Sequence, residues 1–127
     1  MIVLDASVII AHLDKTDVHH ERAGALLWEV AGEPIGASPL TLAEVLVGPA
    51  RAGQVDRGTA LLHQLDVSSV LLDHDAPARL ATLRAGTNLK LPDCCVLLAA
   101  EQTHGAVATF DDRLANAATA HGLVVRH

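Results

Sequence analysis

Short apolar runs alternate along the chain with longer amphipathic stretches. Ile2-Val3-Leu4 is rich in β-branched residues and predicts a strand ending at Asp5. Residues 6–13 read as a short helix. Thr16 or Asp17 is placed to cap a second helix, which carries Ala23, Leu26, Leu27 and Val30 on one side. Residues 34–37 predict a short strand. Ser38-Pro39 then marks a helix start, with a hydroxyl at the cap and proline at the first helical position. Gly48-Pro49 is where that helix is expected to end or kink, because proline cannot donate to the ladder. Beyond it, residues 55–65 predict a helix and residues 67–72 a strand. Asp75 opens a helix with Leu80 and Leu83 inward, closing near Gly86. Leu91-Pro92-Asp93 is a second proline-led helix start. Residues 106–109 predict a strand, Asp111 or Asp112 caps the next helix, and His121-Gly122 ends it. Residues 123–125 predict the last strand.

Strands separated by helices imply right-handed crossovers and a mostly parallel central sheet. The strands lack polar alternation, as expected when helices cover both faces. The fold class expected is therefore α/β, a three-layer sandwich formed by a single domain over residues 1–127. No internal repeat, linker or low-complexity tract interrupts it.

Composition agrees with a packed domain: half of the 127 residues are apolar. No apolar run approaches the roughly 18 residues of a membrane span. The opening MIVLDAS has no basic region and an acid at its fifth position, so it does not read as a signal peptide, and a cytoplasmic location is expected. Cys94 and Cys95 are adjacent. A disulfide between neighbours is strained, and CxxC spacing is missing, so both read as small buried hydrophobes.

Charge bears on function. The net charge of −6 argues against a generic basic nucleic-acid binder. Setting aside Asp5, Glu44, Asp93, Asp111 and Asp112 leaves ten acids against nine bases. The acidic excess is thus about as large as one cluster, and a divalent cation held there would weaken the objection. No strong basic stripe is visible.

Those acids occupy particular places. In a parallel sheet Asp5 and Asp111, which follow strands, both lie at the carboxyl edge, where open α/β folds build their sites. Asp93 stands in the first turn of its helix. Glu44 is the only charge in the apolar run at 40–47, which reads as a largely buried helix where a carboxylate needs a cation or hydrogen bonds to compensate. Each acid has a plain structural explanation: helix caps for Asp5 and Asp111, the helix dipole for Asp93, a solvent-facing stripe for Glu44. None of these explains why four acids converge on one edge. Converging carboxylates repel unless a hard cation neutralises them, and oxygen ligands suit Mg²⁺ or Mn²⁺ rather than Zn²⁺. The eight histidines offer no ligand spacing; His19 and His20 are sequential and cannot share a helical face.

Taken in order, IVLDAS, SPLTLAEVL, LPD before an apolar helix, and TFDD resemble the PIN-domain ribonucleases. The likeness is greatest to the VapC toxins of bacterial type II toxin–antitoxin systems and covers nearly the whole chain. The resemblance implies an acidic metal site of Asp5, Glu44, Asp93 and Asp111, with Asp112 as an auxiliary acid and Ser7 in support by hydrogen bonding. Asp5 and Asp93 are the expected direct Mg²⁺ ligands. Asp111 is favoured over Asp112 because it is nearer the strand end. Mn²⁺ is expected to replace Mg²⁺. The implied reaction is hydrolysis of RNA phosphodiester bonds by in-line attack of water, leaving 5′-phosphate and 3′-hydroxyl ends. Lys90 and Arg113, each near a site acid, are phosphate contacts or ordinary solvated charges. The resemblance further implies a homodimer and a cognate antitoxin whose tail presents an arginine to the acids. Trp28 and Phe110 are the only aromatics besides histidine, which argues against base stacking on exposed rings as the route to RNA selectivity.

Two other readings compete. A phosphoacceptor receiver module would share the size, the parallel sheet and an acidic Mg²⁺ pocket. It calls for an acid pair after the first strand and a Lys after the last; here one acid follows the first strand and no Lys lies beyond position 90. A catalytically silent PIN-like scaffold is the other.

Overall fold

The structure, a computed structural model, describes residues 1–127. Five strands and seven helices follow in the order β1 (Ile2–Leu4), α1 (Ala6–Leu13), α2 (His20–Glu29), β2 (Ile35–Ala37), α3 (Pro39–Arg51), α4 (Val55–Gln64), β3 (Ser68–Ser69), α5 (Ala76–Gly86), α6 (Leu91–Gln102), β4 (Ala106–Ala108), α7 (Asp112–Ala120) and β5 (Val125–Arg126). The sheet order is β3-β2-β1-β4-β5, and every neighbouring pair is parallel. β1 lies in the centre: Ile2 faces Ile35 on one side and Ala106 on the other. Chain order reverses beside β1, which puts the crevice at its carboxyl end. A receiver module has the order 2-1-3-4-5 and a different centre.

Alternation along β1 splits the core. Ile2 and Leu4 join Val8, Ile9, Leu26, Val30 and Ala108 on one face. Val3 joins Val96, Leu97, Val107 and Leu114 on the other. A side chain of this size stabilises by about 1.5–3 kcal/mol when fully buried, so neither face of β1 could be left to water. The three-layer sandwich expected from the apolar strands is therefore the observed fold. α6 is buried on nearly every side from Cys94 to Ala100. Both cysteines are free, and burial pushes their thiols up, which makes them inert packing residues. No helix is long and apolar enough to cross a membrane.

Four expected boundaries move. α2 begins at His20 rather than after Thr16 or Asp17. Asp14 Oδ1 accepts from Thr16 N at 2.9 Å and Asp17 Oδ1 accepts from His19 N at 2.8 Å, so both acids close local turns instead of capping the helix. α3 runs through Pro49 to Arg51. Its last turn keeps other bonds, including Ala52 N to Gly48 O at 3.2 Å and Gln54 N to Pro49 O at 2.8 Å, so proline removes one donor without ending the helix. β3 is shorter than residues 67–72 because it is an edge strand with β2 as its only neighbour. β5 shifts onto Val125–Arg126, leaving Val124 outside it.

The start of α3 follows the sequence closely. Ser38 is fully buried; its Oγ accepts from Thr41 N and donates to Thr41 Oγ1, each at 3.1 Å. Ser38→Ala is expected to cost about 1 kcal/mol, the usual worth of such a cap. For a domain of this size that lowers the melting temperature by ~3–6 °C. A thermal melt shifted by less than about 1 °C would mean that the cap is idle.

Candidate active site

The first strand ends at Asp5, which caps α1 and is almost fully buried at 7 % exposure. Both carboxylate oxygens are engaged. Oδ1 accepts from Ala6 N at 2.8 Å. Oδ2 accepts from the Ser7 hydroxyl at 2.7 Å and from the Thr109 hydroxyl at 2.8 Å. Each hydroxyl spends its one proton on Asp5 and accepts from the backbone that follows β4. Phe110 N donates to Ser7 Oγ at 3.1 Å, and Asp111 N donates to Thr109 Oγ1 at 3.0 Å. The ends of β1 and β4 are thereby tied through one carboxylate. Ser7 is one of the residues the sequence singled out. Thr109 is not: inside AVATF it reads as one more β-branched strand residue, and only its position at a strand end before an acid sets it apart.

Asp111 caps α7, its Oδ1 accepting from Arg113 N at 2.9 Å and Leu114 N at 3.2 Å. Its charge acts on Asp93 in the first turn of α6. Burial, then the charges of Asp5 and Asp111, hold the Asp93 carboxyl above the usual carboxylate range, while Arg113 eases it. Glu44 on α3 is raised in the same way: first by partial burial, then by Asp5 and Asp93, with Lys90 opposing. The four acids from α1, α3, α6 and α7 thus share one electrostatic field at the carboxyl edge of the sheet. Lys90 and Arg113 stand close enough to moderate it. Asp112 is exposed, does not act on Asp93 or Glu44, and borders a separate pocket with Arg22 and Phe110.

Two expectations about this region change. The helix bearing Glu44 is not largely buried: only Thr41 and Val45 are, while Leu40 and Val47 are 41 % and 44 % exposed. Glu44 is itself exposed, so burial of its carboxyl is only partial, and the charges of Asp5 and Asp93 add to the upward shift that burial starts. Nor do three of the acids, histidines or cysteines stand close enough to form a finished metal cage.

A family model described as PIN domain matches residues 2–120. The chain belongs to the PIN-domain family. Solved structures share this PIN fold. The sarcin–ricin-loop-cleaving toxin VapC20 of Mycobacterium tuberculosis is 17 % identical, covering 92 % of this chain and 95 % of that one, with a TM-score of 0.75. FitAcB from Neisseria gonorrhoeae is 25 % identical over 100 % of this chain and 97 % of that one, with a TM-score of 0.73. VapBC-1 from nontypeable Haemophilus influenzae is 14 % identical, covering 99 % and 97 %, with a TM-score of 0.72. No curated protein matches the sequence. Membership of the PIN family removes the receiver reading, and the sheet order agrees, with β4 rather than β3 beside β1.

Proposed function

We propose that this PIN domain is a magnesium-dependent ribonuclease, the toxin of a toxin–antitoxin pair acting in the cytoplasm. The observation that carries the reading is the shared field of Asp5, Glu44, Asp93 and Asp111 at the carboxyl edge, in a fold that a sarcin–ricin-loop-cleaving toxin shares. The donor set fits a hard divalent cation: it is all oxygen, drawn from four separate elements, and two of its carboxyls are raised by burial and then by their acidic neighbours. Asp5, Glu44, Asp93 and Asp111 would hold Mg²⁺ or Mn²⁺, with Asp112 as an outer acid. The bound ion supplies Lewis-acid polarisation of a phosphate oxygen and a more acidic water. The chain's own contribution is positional. Ser7 and Thr109 fix Asp5 in one orientation, and Asp93 and Glu44 face it from the opposite helices. Lys90 and Arg113 are placed to meet RNA phosphates at the rim of an otherwise acidic mouth.

An antitoxin partner and a homodimer complete the reading. Beside Glu44 an apolar groove of about 350 Å³ is lined by Ile10, Leu13, Leu46, Pro49 and Leu61, a surface suited to a partner segment that covers the acids. The test is cleavage of structured RNA with metal varied. Activity is expected with Mg²⁺ or Mn²⁺, to stop on adding EDTA, and to be suppressed by excess product of the neighbouring antitoxin gene. Activity restored by Zn²⁺ alone, with Mg²⁺ inert, would overturn the oxygen-ligand assignment.

A further inference from the structure

A second recess adjoins the acids on the side of the edge strand. Its volume is about 230 Å³, and Arg22, Thr109, Phe110, Asp112, Asn116 and His127 are among its walls. Thr109 is the shared wall, since its hydroxyl donates to Asp5 at 2.8 Å. The Arg22 guanidinium carbon sits 4.4 Å from the centre of the Phe110 ring, a cation–π contact. The His19 ring lies 5.2 Å from the same ring, tilted by 46°. Arg22 joins no ion pair; those of this chain are Arg79 with Glu101, and Arg126 with Glu29 and Glu33. An unpaired guanidinium resting on an aromatic ring, next to a cluster of acids, is an unusual use of an arginine in a protein of charge −6.

We propose that this recess seats one base of the RNA strand flanking the scissile phosphate, stacked on the Arg22 guanidinium with Phe110 beneath it. The inference rests on the ribonuclease reading and deepens it by naming a specificity pocket. A guanidinium plane stacks on a base as an aromatic ring does, and Phe110 preorders it, so little is lost in fixing the side chain on binding. The recess is smaller than the ~300–1,000 Å³ of sites for drug-sized ligands, which suits a single base. Its polar walls favour particular bases. The Asp112 carboxylate only accepts, and the Asn116 amide donates and accepts. A base with an exocyclic amine therefore fits better than uracil, whose edge flanks one N–H with two carbonyls. The scarcity of exposed aromatic rings is thus no obstacle to stacking, because an arginine takes the part of the ring.

The experiment measures binding without cleavage. In an Asp93→Asn background, fluorescein-labelled single-stranded oligo(A), oligo(C) and oligo(U) are titrated and read by anisotropy. Oligo(A) and oligo(C) are expected to bind several-fold tighter than oligo(U). Arg22→Ala is expected to weaken oligo(A) binding by about tenfold, the usual loss of one stacking platform. Arg22→Lys keeps the charge and loses the plane, so it is expected to recover only a small part. Asn116→Ala is expected to narrow the preference over oligo(U). Unchanged affinity in Arg22→Ala, with or without a lowered melting temperature, would leave the Arg22–Phe110 contact purely structural and overturn the proposal. Full recovery in Arg22→Lys would make Arg22 a phosphate contact and overturn the stacking. No binding of any oligomer, or no preference over oligo(U), would overturn it as well. Failure of the ribonuclease reading shows differently: the unmodified protein would then cleave no RNA in any metal, whatever the oligomers do.

Discussion

In EDTA, Asp93→Asn is expected to melt above the unmodified protein, and in millimolar Mg²⁺ to lose RNA cleavage by orders of magnitude. The substitution keeps the shape of the side chain and removes one charge from a site where burial, Asp5 and Asp111 all oppose that charge. Two carboxylates about 5 Å apart at an effective dielectric near 20 repel by roughly 3 kcal/mol. Partial exposure and salt reduce this to about 1 kcal/mol, or ~3–6 °C in melting temperature. The pH dependence has a definite sign. A carboxyl raised in the folded state binds more protons there than in the unfolded chain. Stability contributed by Asp93 and Glu44 is therefore greatest at low pH and falls as pH rises from the unfolded value of about 4 through the raised folded value. The gain of Asp93→Asn should accordingly be larger at pH 7 than at pH 4. His12 works in the opposite sense, since burial and His20 hold it low, so it costs stability below about pH 6.5. That contribution is common to both proteins and cancels in the difference. Added Mg²⁺ should narrow or reverse the order, because binding stabilises the intact site by mass action. Asp66→Asn is the control: Asp66 is exposed, and its φ of 57° is a conformation asparagine tolerates. If Asp93→Asn cleaves RNA at the unmodified rate and responds to Mg²⁺ in the same way, there is no shared metal site. If neither protein cleaves RNA, the scaffold reading takes over.

Thr109→Val is expected to damage both stability and cleavage although no charge changes. Valine has nearly the shape of threonine, but Asp5 Oδ2 loses a donor and Asp111 N loses its acceptor in a place only 1 % exposed. Leaving buried polar groups unsatisfied costs about 1–3 kcal/mol. Loosening a ligand's supporting hydrogen bonds typically lowers metal affinity or activity by about 10–100-fold. Thr109→Ser restores the hydroxyl and should recover most of the activity, which separates positioning of Asp5 from general packing. Calorimetric titration with Mg²⁺ checks the same point without a substrate. Equal affinity and turnover in Thr109→Val would remove Thr109 from the site.

The parts legible in the sequence are those that one local rule controls. Asp5 and Asp111 follow apolar runs, so their place at the carboxyl edge comes from strand direction alone. Ser38-Pro39 announces α3 by its own chemistry. Less legible are features decided by distant partners. Thr109 differs from its strand neighbours only through its bond to Asp5, 104 positions away. The apolar run around Glu44 reads as buried, yet of α3 only Thr41 and Val45 are, and Leu40 and Val47 stay exposed. The start of α2 was obscured by two aspartates that satisfy nearby amides rather than the helix. Arg22 carries no local signal at all, and its ring partner Phe110 follows β4, far along the chain from α2.

The central position of β1 also sets when the four acids can come together during synthesis. The first strand to leave the ribosome waits long for its second neighbour, because β4 lies beyond position 105. Until then Asp5 lacks the Thr109 hydroxyl, β1 has an open edge, and Asp111 has not been made. At ~5–20 residues per second most of the chain's synthesis time passes with the acids unassembled. A chain that stops before β4 therefore cannot assemble the four acids, which come together in one late step, when β4 docks and brings Thr109 to Asp5.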